Sequence, residues 1–262
     1  MSRLGETLAA ARTRGRTLLM AYLCAGDPTL AQSVEAMQAA SDAGADIIEI
    51  GWPFSDPVAD GPVIQAASGR ALGHTGRAEV LEAIRQVRRA SAAPIAVLGY
   101  CNPVLRHGLD ETAAALAAAG ADALLAADLS FEESEPWRAA CRRHGLSLVP
   151  FIAPTTRGER LRQIAGAADS FVYAVARLGV TGQRAEQSQA ILPVVEGLRE
   201  HTDAPVLAGF GIGDASAAVQ WRQRGLDGVI VGSALVAALA GGGVPAVREK
   251  VREIRSGLDN LG

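Results

Sequence analysis

The stretch "DIIEIGWPFSDPVADGP" (46–62) gathers three carboxylates, Glu49, Asp56 and Asp60, in and just beyond one apolar run. Asp46–Gly51 reads as a buried strand, and side chains along a strand alternate between its two faces. Ile48 and Ile50 therefore share one face, while Ile47, Glu49 and Gly51 share the other. If the two isoleucines pack beneath helices, Glu49 points inward. An ionised carboxylate there is costly unless paired, so its pKa is expected to rise. A carboxyl tuned towards neutrality can give a proton and take one back in turn. The competing role for Glu49 is structural, as an acid bonded to backbone amides or an arginine. Asp56 ("SDP") and Asp60 ("ADGP") have turn chemistry as their plainer role. Pro57 and Pro62 stiffen the loop, which lets it hold an acid over a site where a substrate offers a donor.

A second constellation lies late in the chain. "GFGIGD" and "VGSAL" are glycine-rich, and "GVTG" (179–182) adds a third flank. Gly209, Gly211, Gly213 and Gly232 let backbone amides approach an anion, and Ser233 stands at a helix start where it can donate. Tight packing is the alternative reason for any one of these glycines. The chain has a single lysine, Lys250, in a C-terminal helical pattern, so a Schiff-base mechanism lacks its nucleophile. The four histidines are scattered, no metal-ligand spacing occurs, and no local serine or cysteine nucleophile motif is present. What remains is carboxylate acid–base chemistry on a phosphorylated substrate.

The elements that must position these residues alternate between short apolar runs and helical periods. Strands are expected at 17–23, 46–51, 94–100, 122–127, 146–153, 170–175, 205–211 and 227–233, with helices such as 29–44 and 77–91 between them. Eight strand–helix units predict an α/β fold, a single (β/α)8 TIM barrel spanning 1–262; a doubly wound open sheet is the competing architecture. "SRLGETLAAARTRG" predicts an extra N-terminal helix, and "AGGGVP" (240–245) a break before a terminal amphipathic helix. Four helix exits, "AGAD" (43–46), "AGAD" (119–122), "AGAAD" (165–169) and "RGLD" (224–227), place a glycine where a left-handed residue ends a helix. Barrel sites form where strands end, and a phosphate site commonly follows strands seven and eight, so both constellations fall at that rim.

Composition excludes some classes. The 262 residues are 49% apolar with net charge −3, which offers nothing to nucleic acid or an anionic membrane. The arginine runs "RQVRR" and "CRRHG" read as solvated helix faces. Three cysteines without CxxC spacing fit a reducing compartment. The N-terminus lacks a signal-peptide core and no run has transmembrane length, so a cytoplasmic protein is expected.

"AGDP" (25–28), "IEIGWPFSDPVADGPVIQAA" (48–67), "YCNPV" (100–104), "APTT" (153–156), "GVTG" (179–182), "GFGI" (209–212) and "DGVIVGSA" (227–234) occur in one order over nearly the whole chain. In these motifs the chain resembles the tryptophan synthase alpha subunit family. The resemblance implies retro-aldol cleavage of indole-3-glycerol phosphate to indole and glyceraldehyde 3-phosphate, without metal or organic cofactor. It implies that Glu49 is the general acid/base and that Asp60 binds the indole N–H. Tyr22, Ile64, Leu98, Tyr173 and Phe210 match the substrate pocket, and Thr181 matches the mobile residue that closes on the acid loop. Gly182, Gly211, Gly232 and Ser233 match the phosphate site, and Asp56 reads as a loop or partner residue. The implied partner is a beta subunit, in a heterotetramer of two alpha and two beta chains. Trp52, Cys24, Gly99, Ala127, Ser130 and Ala176 depart from the family's usual residues. Trp52 either narrows the indole pocket or faces a partner. Two alternatives stay open: a stand-alone lyase releasing indole for another pathway, and a catalytically weak alpha-like protein that binds and activates a beta subunit. A phosphosugar isomerase or flavin-phosphate barrel would share the anion site but not the acid-loop signature.

Overall fold

A computed structural model describes residues 2–175, 190–209 and 211–260. The strands are β1 Leu18–Cys24, β2 Ile47–Gly51, β3 Ile95–Gly99, β4 Ala123–Ala126, β5 in two pieces (Ser147–Leu148 and Phe151–Ile152), β6 Val172–Ala174, β7 Val206–Ala208 and β8 Gly228–Val231. The helices are α1 Arg3–Thr13, α2 Leu30–Asp42, α3 Pro62–Ala71, α4 Arg77–Ala90, α5 Cys101–Leu105, α6 Leu109–Ala119, α7 Glu135–Arg143, α8 Gly158–Ala167, α9 Leu192–Arg199, α10 Ala215–Gln223 and α11 Ser233–Asp259. Every strand pair is parallel, and β1 pairs with both β2 and β8. The expected eight strands are present, but the fifth is interrupted at Val149–Pro150. Pro150 has no N–H to give a ladder. The ring still passes through it: Val149 N–H donates to Leu124 O (3.0 Å), and Tyr173 N–H donates to Pro150 O (2.9 Å). This is a (β/α)8 barrel.

Alternation along the strands separates two apolar layers. Leu19, Ala21, Leu23, Ile48, Ile50 and Val97 pack outward against the helices. Leu18, Met20, Ile47, Ala96, Leu125, Phe171, Leu207 and Ile230 fill the interior, joined by Leu4, Leu8 and Ala11 of α1. The extra N-terminal helix thus plugs the barrel floor; burying Leu4 and Leu8 stabilises it by about 1.5–3 kcal/mol each.

The repeated helix exits have a structural meaning. Gly44, Gly120 and Gly225 take positive φ (109°, 105° and 84°) and stop α2, α6 and α10. The aspartate after each grips the preceding odd strand: Asp46 accepts from Leu19 N–H, Asp122 from Ile95 N–H and Asp227 from Val206 N–H, each at 2.8 Å. Arginines lock these acids, Arg88 and Arg3 on Asp122 and Arg255 on Asp46. Arg88 belongs to "RQVRR", so that run is not a wholly solvated face: its guanidinium also donates to the carbonyls of Gly120, Ser91 and Ala93. The fourth exit departs from the pattern. Gly166 lies inside α8, which ends at Ala168 in extended conformation. The break expected at "AGGGVP" is a kink: α11 runs through it, with one non-helical residue, Gly243 (φ 65°). Among the described residues no helix is long and apolar enough to cross a membrane.

Candidate active site

Glu49 and Tyr22 stand level on neighbouring strands, in register across β1 and β2. Both face the interior at its C-terminal end, the parity expected from Ile48 and Ile50 packing outward. Glu49 is 1% exposed. Its Oε1 has no hydrogen-bond partner among the described residues. The structural role considered for this acid, bonded to amides or an arginine, is therefore not what the surroundings provide for that oxygen. Burial, and then the charge of Asp60, raise its pKa to about 8. At neutral pH the side chain is a buried carboxylic acid with a free lobe.

Asp60 is held differently. Its loop leaves β2, and Ser68 of α3 ties the near side by accepting from Phe54 N–H (2.8 Å) and donating to Phe54 O (2.9 Å). Tyr100, just beyond β3, stacks on Phe54 with ring centroids 5.0 Å apart. Its hydroxyl donates to Asp60 Oδ2 (2.9 Å) and accepts from Ala59 N–H (3.2 Å). Burial raises the Asp60 pKa to about 6, against the lowering effect of the Tyr100 hydrogen bond. The two carboxyls are thus separated by environment, Asp60 largely ionised and Glu49 largely protonated at neutral pH. Tyr100 was visible in "YCNPV" only as a motif letter; nothing in its spacing announced a bond across forty residues to the acid loop. Asp56 lies exposed on the same loop, beside Ser55.

Tyr22, Ile64 and Leu98 meet in one apolar cluster above Glu49, with Cys24, Ala67, Ala71 and Val236. Tyr173 enters from β6, its ring 5.0 Å from Phe151. Burial raises the pKa of Tyr173, and the next causes are the charges of Glu49 and Asp60, so its phenol faces the same acids. Each tyrosine leans over a glycine of the next strand or its exit. A methyl added to Gly51 would overlap the Tyr22 hydroxyl, and one added to Gly209 would overlap that of Tyr173. Gly209, expected to admit an anion, is therefore required by Tyr173.

The turn expected to hold an anion is the start of α11. Leu235 and Val236 N–H both donate to Gly232 O (2.9 and 3.0 Å), leaving the first-turn amides of exposed Ser233 and half-buried Ala234 at the rim. Gly211 is exposed with φ 72°. The neighbouring α10 is less free, since Asp214 already caps it by accepting from Ala217 N–H (2.8 Å). A methyl on Gly232 would lie 3.4 Å from both Tyr22 Cδ1 and Ile64 Cδ1, so this turn adjoins the pocket wall. Thr181, Gly182, Phe210 and Ala176 lie outside the described residues. Lys250 pairs with Glu253 on α11 (2.6 Å), remote from these acids in the fold. Among the described residues no group of three or more His, Cys, Asp or Glu side chains is placed to hold a metal.

Trp52 takes neither place considered for it. It continues the outward parity of Ile48 and Ile50, is 7% exposed, and packs in the layer between sheet and helices. A methyl on Gly99 would meet Trp52 Cβ at 3.6 Å, an ordinary contact, so the two positions adjoin and only a side chain larger than alanine at Gly99 would crowd the tryptophan.

Fold and acids together are those of a (β/α)8-barrel lyase. A sequence profile described as "Tryptophan synthase alpha chain" matches residues 8–257. The chain belongs to the tryptophan synthase alpha chain family. A Roseiflexus relative of that name is 47% identical over 238 residues, covering 90% of this chain and 91% of the relative. One from Synechococcus elongatus is 42% identical over 260 residues, covering 99% and 98%. Mycobacterium tuberculosis tryptophan synthase contains a chain of the same shape, with TM-score 0.92 and 41% identity over 100% of this chain and 99% of that one. The reaction is accordingly cleavage of indole-3-glycerol phosphate in tryptophan biosynthesis, a carbon–carbon bond lysis.

Proposed function

We propose that Glu49 carries both proton transfers of this cleavage. As a neutral acid it protonates C3 of the indole, and as the resulting carboxylate it takes the proton of the side-chain hydroxyl while the carbon–carbon bond breaks. Asp60, ionised, accepts the indole N–H and stabilises the positive charge that develops on the ring. Ile64, Leu98 and Tyr173 wall the ring, and Tyr22 stands beside it. Gly211, Gly232 and Ser233 hold the phosphate; Gly182, Thr181 and Phe210 are assigned to substrate binding on the family likeness alone. The observation that carries this reading is the buried Oε1 of Glu49, without a partner among the described residues, beside a second acid of lower pKa.

The protein works with a beta subunit that consumes the indole, docked over the rim that bears Asp56. Exposed Val58 (80%), on the loop after β2, and Leu105 (53%), at the end of α5, support an apolar contact there. The test is indole release from indole-3-glycerol phosphate with and without a tryptophan synthase beta subunit. Acceleration by the partner supports this reading. High turnover with no partner effect supports a stand-alone lyase, and substrate binding without turnover in either condition supports a binding-only protein.

A further inference from the structure

The pocket-wall role does not account for the oxygen of Tyr22. The side chain is 4% exposed. Among the described residues its hydroxyl makes no hydrogen bond, whereas the Tyr100 hydroxyl makes two. Unlike Glu49 Oε1, this oxygen is not sealed off from solvent, so it opens onto the pocket, where phenylalanine would furnish the same apolar wall but no donor. The hydroxyl is also given room, because Gly51 lacks the methyl that would overlap it. Burial is the main reason its pKa lies well above the ordinary phenol value, with Cys24, Asp60 and Glu49 adding to it. The phenol stays neutral, and so remains a donor.

Its position selects the acceptor. One edge of the ring adjoins Gly232 at the anion site, and the side chain stands level with Glu49 on β1. A substrate with phosphate at Gly232–Ser233 and its reacting carbon at Glu49 must cross this ring. Between those two ends the substrate carries only the hydroxyls of its glycerol chain. We propose that the Tyr22 hydroxyl donates a hydrogen bond to a glycerol-chain hydroxyl of the substrate, aligning that chain for proton removal by Glu49. This rests on the roles given above to Glu49 and the phosphate loop.

The test is Tyr22→Phe, read with two molecules. One is indole-3-glycerol phosphate, for kcat/KM; the other is indole-3-propyl phosphate, which keeps ring and phosphate but has no chain hydroxyl, for Kd. The expected result is about a tenfold fall in kcat/KM with the analogue's Kd changed less than twofold. Equal losses for both molecules would assign Tyr22 to packing alone, and an unchanged kcat/KM would show that the hydroxyl is idle; either overturns the proposal. Glu49→Gln is assayed alongside. If that variant turns over at a near-native rate, the site reading itself fails. If it is dead while Tyr22→Phe equals wild type, only the role of Tyr22 fails.

Discussion

Tyr100→Phe removes one oxygen and leaves the ring that stacks on Phe54. The lost bond is the 2.9 Å donation to Asp60 Oδ2. A hydrogen bond to a charged group contributes about 1.5–3 kcal/mol, and the half-buried setting of Asp60 argues for the lower end. Since 1.36 kcal/mol corresponds to one pH unit, the Asp60 pKa should climb from about 6 to about 7. The sign follows from which form the phenol favours. It donates to the carboxylate, so its loss makes the protonated acid easier to form, and ionised Asp60 is then lost at higher pH. In wild type, kcat/KM should form a bell, with an acid limb near pH 6 from Asp60 and a basic limb near pH 8 as neutral Glu49 is lost. The ratio of variant to wild-type kcat/KM removes the limb they share. That ratio should drop about fivefold at pH 6 and return towards its plateau above pH 8. A ratio that does not vary with pH would mean that Tyr100 does not tune Asp60, because a loss of packing alone lowers activity equally at every pH.

Other consequences concern the scaffold. Asp122→Ala should destabilise the barrel by about 3 kcal/mol, since it strands Arg88 and the Ile95 N–H together, and a thermal melt should show it. Gly99→Met should cost about 1–3 kcal/mol in wild type by overpacking against Trp52, and distinctly less in a Trp52→Leu background. Equal costs in both backgrounds, read by denaturant titration, would mean that the two residues do not share space.

Much of this molecule follows from alternation and punctuation in the chain. The parity of Ile48 and Ile50 alone puts Glu49 inside the barrel, and the sparse lysines and histidines leave carboxylates as the candidates for the chemistry. Bonds that cross between loops leave no such trace. Tyr100 reaching Asp60, Ser68 gripping Phe54, and Gly51 yielding to Tyr22 depend on how neighbouring strand exits converge in space. Local composition also misleads where a residue has two uses. Gly166 resembles a helix stop yet sits within α8, and Gly209 resembles an anion loop yet clears Tyr173. Trp52 could be placed only by continuing the strand's parity one residue past its end, where the pleat is not assured.

The proposed mechanism has one buried carboxyl, Glu49, move both protons. Glu49→Gln keeps the shape and removes the titrating group. Indole release from indole-3-glycerol phosphate by that variant is the direct measurement. A loss of about a thousandfold or more is expected, with binding of indole-3-propyl phosphate retained. Turnover within tenfold of wild type would contradict it.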